Sequence, residues 1–338
     1  MSSASRDRDR LMHHALTAAQ TGLYVFPLRA KTKRPALHSA ERCPRTGVCR
    51  ARHLGWEQRA TVDLDVIERC WSAGPFNIGI ATGPSGLVVI DLDTPKSPTD
   101  VPPPRWSREG IRDGHDVFAA LCAEAREDVP WETRTVRTAR GGTHLYFREP
   151  STVELRNTEG EHGNGLGWKV DTRAHGGYVV APGSTTSDGT YWPTNDVAPL
   201  PLPVWLVHCL TPRPRTAVSA PVVVPSQRLP RYVTAAVDGE CRKLSTAVSG
   251  GHDRAAFVAG IALGQLVGAG VLPPATAEAH LVAAAAPLIN GECDCTEAKV
   301  RRSIRNGITE GTARPRQMPG AERPAPAATP MFDARGAA

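Results

Sequence analysis

Long apolar runs are missing from this 338-residue chain. No stretch approaches the roughly 18 consecutive apolar residues that a membrane span needs. The N-terminal "MSSASRDRDRLMHHAL" carries charge but no apolar core. Neither an export signal nor a membrane partner is therefore expected, and the reading is of a cytoplasmic protein. Aromatic residues are scarce, at 5%, while prolines number 30, which predicts an aliphatic core joined by many turns. A phosphate-binding G-x-x-x-x-G-K-[ST] loop is absent; the nearest piece, "GIATGPSG", lacks the lysine. Without an export signal, the eight cysteines read as thiols or metal ligands rather than a disulfide framework. No one sign of charge dominates either. The 40 basic and 34 acidic residues leave +6, which permits an anionic partner without demanding one.

What is present divides into two alphabets. Through about residue 210 the pattern alternates helix and strand: a helix over 8–20, strands over 22–28, 77–83 and 86–91, and helices over 63–72 and 114–127. Four glycine-punctuated strands follow in "TRTVRTA", "THLYFRE", "GWKVDTRA" and "GYVVAPGST". Residues 211–230 read as a Pro-rich linker. Beyond it, 231–312 reads as a small all-helical domain, with helices at 254–270, 276–289 and 296–311. Residues 313–338, rich in Pro, Ala and Arg, are expected to be disordered.

Three strand segments carry candidate chemistry. In "GLVVIDLDTPK" the two-residue repeat of a strand places Asp91 and Asp93 on one face, one pleat apart. Carboxylates that close repel unless a cation lies between them, and hard oxygen ligands suit Mg²⁺ or Mn²⁺. In "GGTHLYF", Gly141 and Gly142 free the backbone for close approach, and Thr143 and His144 offer a hydroxyl and an imidazole to phosphate. In "WKVDTRAHGGYVVAPGS", Lys169, Asp171 and Arg173 alternate, so one acid and two cations are predicted to share a face. Individually each has an ordinary reading: a capped strand end, a hairpin with a surface histidine, a solvated ion pair. Their order and company favour a site.

That ordered set, "NIGIATGPSGLVVIDLD", "ETRTVRTARGGTHLYF" and "WKVDTRAHGGYVVAPGS", resembles the bifunctional primase-polymerase domain of the archaeo-eukaryotic primase superfamily. The resemblance runs from "TGLYVFPLRAKTKRPAL" to about residue 205, and the helical region is similar to the primase C-terminal helical module. It implies an α/β (α+β) class with an RRM-like catalytic domain followed by a small helical domain. It implies that Asp91, Asp93 and Asp171 hold two divalent ions, with His144 on the triphosphate. Thr143, Lys169, Arg173 and Arg140 would assist in binding the nucleotide. The activity implied is primer synthesis and extension on a single-stranded DNA template from nucleoside triphosphates, in replication of a plasmid, phage or integrated element. Lacking a P-loop, such a protein would work with a separate replicative helicase.

Two further features stay open at this level. "HSAERCPRTGVCRARH" sets His38, Cys43, Cys49 and His53 within sixteen residues. These could close a structural Zn²⁺ site, or stand as two free thiols and two exposed histidines among arginines. Cys293 and Cys295 read as free thiols. In the last helix Arg301, Arg302 and Arg305 point away from the apolar line Val300, Ile304 and Ile308, a candidate DNA-binding face or a merely solvated one. Two rivals follow: a transferase whose Asp91 and Asp93 hold the metal of a nucleotide-sugar, and a non-enzymatic DNA-binding protein on a primase-polymerase fold.

Overall fold

The computed structural model describes residues 3–212, 229–247, 251–289 and 296–316. They fall into two compact units, one before Pro214 and one after it. Among the described residues no helix is long and apolar enough to cross a membrane.

In the first unit, α1 (Ser3–Gln20) is followed by β1 (Val25–Leu28), the short α2 (Trp56–Arg59) and α3 (Leu64–Ser72). Next come β2 (Asn77–Ala81), β3 (Leu87–Leu92), α4 (Gly114–Ala125), β4 (Arg134–Arg137) and β5 (Thr143–Arg148). The unit closes with β6 (Val170–Arg173), β7 (Tyr178–Val180), β8 (Thr185–Thr186), β9 (Gly189–Thr190), β10 (Trp192–Pro193), β11 (Leu200–Pro201) and α5 (Val204–Leu210). Two short 3-10 turns, Ala40–Arg42 and Gly47–Cys49, lie between β1 and α2.

The larger sheet runs β10-β4-β5-β3-β6, with β11 added in parallel to the end of β5. Its central order β4-β5-β3-β6, antiparallel throughout and built as β3-α4-β4-β5-β6, is an RRM-like arrangement in which irregular chain from 149 to 169 replaces the second helix. A second sheet, β1-β2-β7, is antiparallel and separate.

Strand β3 explains the layering. Its side chains alternate, and both faces are apolar because both are covered. Val88, Ile90 and Leu92 pack with Val117, Phe118 and Leu206 of the flanking helices. Leu87 and Val89 pack toward the second sheet, with Val25, Ile80, Val180 and Trp71. Each of these buried side chains contributes roughly 1.5–3 kcal/mol. Helix α3 starts where the Asp63 carboxylate accepts from Val66 N–H, and α4 where Asp113 accepts from His115 and Asp116 N–H.

The second unit is helical: α6 (Leu229–Ser245), α7 (His252–Gly268), α8 (Pro274–Ala285) and α9 (Glu297–Thr312) around Leu244, Leu263, Leu281 and Ile304. Helix α6 has no counterpart in the sequence reading, which assigned its first residues to a linker. Its isolated apolar residues, Val237 and Leu244, gain meaning only against α7 and α8. Arg316, within the span 313–338 read from sequence as a tail, hydrogen-bonds the Gln265 side chain and the Tyr232 hydroxyl. The rest of the Pro-rich linker, Cys293, Cys295 and the tail beyond 316 lie outside the described residues.

Candidate active site

The face of β3 that carries Leu87 and Val89 carries Asp91 next, where the apolar contact between the two sheets gives way to a cavity of about 490 Å³. Register places Asp91 directly opposite His144 on β5 and directly opposite Asp171 on β6. Three strands thus bring acid, acid and imidazole into one row, with side chains roughly 5 Å apart across each ladder. Asp93 follows just past the strand end, where its N–H donates to the Lys169 carbonyl at 2.9 Å. Like charges facing each other across a ladder destabilise it. This row therefore calls for a cation.

The electrostatics agree. Burial first, and then the neighbouring Asp93, push the Asp91 carboxyl up to about 7. Burial also raises Asp171, although Arg173 at 2.8 Å and the Gly160 N–H at 2.9 Å oppose it. His144 is pushed down to about 3 by burial, with Lys33 and Arg173 adding to it. Its Nε2 lies 3.4 Å from Asp91 Oδ1, yet an imidazole that burial holds neutral does not form an ion pair. Asp91 Oδ1 and His144 Nδ1 are both buried without a hydrogen-bond partner among the described residues. An orphaned carboxylate oxygen is costly to bury unless something charged binds it. The donor set of three carboxylates fits a hard divalent ion.

Two glycines make the close approach possible. A Cβ on Gly142 would stand 2.4 Å from the Leu92 carbonyl oxygen, and one on Gly114 would stand 2.2 Å from that of Lys169. The β4–β5 turn and the start of α4 thereby press against the backbone that carries the acids.

Of the residues singled out from sequence, Asp91, Asp93, His144, Asp171, Arg173 and Arg140 line this cavity. Thr143 and Lys169 do not. Thr143 precedes His144 and so takes the opposite face of β5, where its hydroxyl meets His115 Nε2 at 2.8 Å. The alternation drawn through Lys169 fails because β6 begins at Val170. Lys169 occupies a turn with φ +61°, and its ammonium pairs with Asp100. The cavity also takes Lys33, Lys96 and Tyr191, together with Glu159 and Tyr178, which sequence reasoning missed. Lys33 stands 6.0 Å over the Tyr191 ring, and its carbonyl accepts from the Tyr178 hydroxyl at 2.9 Å. Only "RAKTKRP" hinted at Lys33; nothing local marks Tyr191, which arrives from the far end of the unit.

The insert between β1 and α2 gathers His38, Cys43, Cys49 and His53, with one ligand atom from each lying within 4.8 Å of the others. Cys49 Sγ is 3.4 Å from His38 Nε2, and His53 Nδ1 is buried without a hydrogen-bond partner among the described residues. Two thiols and two imidazoles converging on one point form a group able to hold a metal ion. In α9, by contrast, Arg301 pairs with Glu297 and Arg305 with Glu278, each at 2.8 Å.

An antiparallel RRM-like sheet with an acid row at its centre defines an α+β domain whose donor set suits a hard divalent ion. The family model described as bifunctional DNA primase/polymerase, N-terminal, matches residues 15–205, more than half of the chain, and the protein belongs to that family. No curated protein matches it.

Proposed function

We propose that this protein is a DNA primase-polymerase, extending, and in the absence of a primer starting, a strand on a single-stranded DNA template. The observation that carries the reading is the row of Asp171, Asp91 and His144 across β6, β3 and β5, with Asp93 one pleat on. Asp91, Asp93 and Asp171 would hold Mg²⁺ or Mn²⁺, two ions in all. Bound there, the ions supply the positive charge that lowers the pKa of an attacking 3′-hydroxyl and stabilises a departing pyrophosphate. Lys33, Lys96, Arg140 and Arg173 surround the same cavity and would neutralise the triphosphate oxygens. His144, held neutral, would donate a hydrogen bond to a phosphate oxygen or orient Asp91. The sugar-transferase alternative has no use for Asp171 or His144, and that is the reason it is set aside. The Cys2His2 group would hold a structural Zn²⁺, since all four positions are filled by protein. A separate helicase would open the duplex during replication of a mobile element.

Nucleotide incorporation on single-stranded template, with and without primer and with Mg²⁺ or Mn²⁺, tests this. Wild type should form product and Asp91→Asn/Asp93→Asn should not. Folded wild-type protein that binds DNA but incorporates nothing under either metal would favour the non-enzymatic reading.

A further inference from the structure

Charge in this chain is concentrated to a degree that the overall balance conceals. Between residues 29 and 52, eight of 24 residues are Lys or Arg and one, Glu41, is acidic. That local +7 exceeds the +6 of the whole chain, so the other 314 residues together carry −1. Arg29, Lys31, Arg42, Arg45, Arg50 and Arg52 are all exposed. Among the described residues none of these six lies within ion-pair distance of a carboxylate. The arginines of α9 differ, since Arg301 and Arg305 are held by Glu297 and Glu278.

Two features turn this from a solvated face into a built surface. The first is fixation. The arginines at 42, 45, 50 and 52 sit on the loop that His38, Cys43, Cys49 and His53 draw together. A Cys2His2 metal site with two thiolates is formally neutral, so loading it leaves the +7 intact. The second is continuity. The same segment contributes Lys33 to the cavity of Asp91 and Tyr191, and its backbone there is tied down by Tyr178 and Asn77. A strand of phosphates that passes Lys33 enters the segment whose Arg42, Arg45, Arg50 and Arg52 are exposed.

Resting on the proposed function, we infer that the segment 29–52 is the docking surface for the single-stranded nucleic acid backbone. The Cys/His cluster serves as the clasp that holds the arginines in place. The partner is a polyanion read through its phosphates, because Arg contacts to phosphate carry affinity and salt dependence without base recognition.

The test uses the full-length protein with its metal content measured, and a fluorescent oligothymidylate titrated across NaCl concentrations by anisotropy. Each single-strand phosphate contact adds about 0.7 to the slope of log K against log salt. R42Q/R45Q/R50Q/R52Q should therefore flatten the slope by two to three, while the matching set of Arg→Lys changes should keep it within one. R69Q/R108Q/R112Q/R126Q, equal in charge change but away from the insert, should leave the slope as in wild type. An unchanged slope in the insert variant, or an equal loss in the distant one, overturns the inference. Nucleotide incorporation by wild type is measured in parallel. Incorporation with an unchanged slope removes this surface alone. A flattened slope without any incorporation removes the polymerase reading and leaves the surface standing.

Discussion

Burial acts on Asp91 and His144 in opposite senses, and the metal-free protein should report it. With Asp91 raised to about 7 from an ordinary value near 4, the folded state holds the extra proton, so stability falls as pH rises through that window. His144, lowered to about 3, does the reverse. The unfolded state takes the proton first, so stability falls as pH drops below about 6.5. In chelator the two slopes oppose each other between about pH 4 and 6.5. Asp91→Asn should leave a stability that rises with pH there, by up to about 1.4 kcal/mol per unit, and His144→Gln one that falls. Urea midpoints against pH check both signs, and identical slopes in the two variants would contradict the assignment. Asp91→Asn should also be more stable than wild type near pH 7, by about 2 kcal/mol, while losing incorporation, the usual cost of a site built for binding. Gly142 gives a second expectation at this scale. With a Cβ 2.4 Å from the Leu92 carbonyl, Gly142→Ala must shift the β4–β5 turn away from the acids. A loss of about 2 kcal/mol is expected, together with a larger fall in kcat than in nucleotide affinity.

At the scale of elements, the insert and the helix pair α7–α9 depend on different forces. The insert contains only two single-turn helices and one fully buried ligand, Cys49, so it has little core of its own. Removing the metal by chelation, or Cys49→Ser, should make 38–53 the first site of proteolysis. Any metal that the proposed site holds should be lost from the protein, with the α/β core still folded. In α7 and α9 the contact is backbone on backbone: a Cβ on Gly264 would lie 2.4 Å from the Ile308 carbonyl oxygen, and one on Gly311 2.2 Å from that of Ile261. Alanine gains about 1 kcal/mol of helix propensity over glycine, but the clash outweighs it. Gly264→Ala should therefore destabilise the helical unit by about 1–3 kcal/mol, read as a lowered transition of that unit in calorimetry.

For the whole molecule, each unit encloses its own buried core: two clusters in the first, with Leu87 and Val89 on one face of β3 and Ile90 on the other, and one in the second around Leu263 and Ile304. Heat unfolding should therefore resolve into two steps, and Mn²⁺ or a chelator should move only the step that belongs to the α/β unit. A single transition shifted as a whole by Mn²⁺ would show that the two are thermodynamically one. The sequence by itself determined what depends on neighbours along the chain. The apolar β3 run, the Asp91–Asp93 phase and the amphipathic line of α9 are periodicities of two and of 3.6, legible without a partner. It also carried the order of motifs on which family membership rests. Tertiary structure decided what depends on register and on distant chain. Sequence phase holds only while the strand lasts, which is why Lys169, one residue before β6, turned to Asp100. The facing of Asp91 with both His144 and Asp171, and the arrival of Lys33 and Tyr191 from either end of the unit, follow from pairing across scores of residues. Local propensity contains no record of that pairing, because the free energy that selects it comes from burying both faces of one sheet at once.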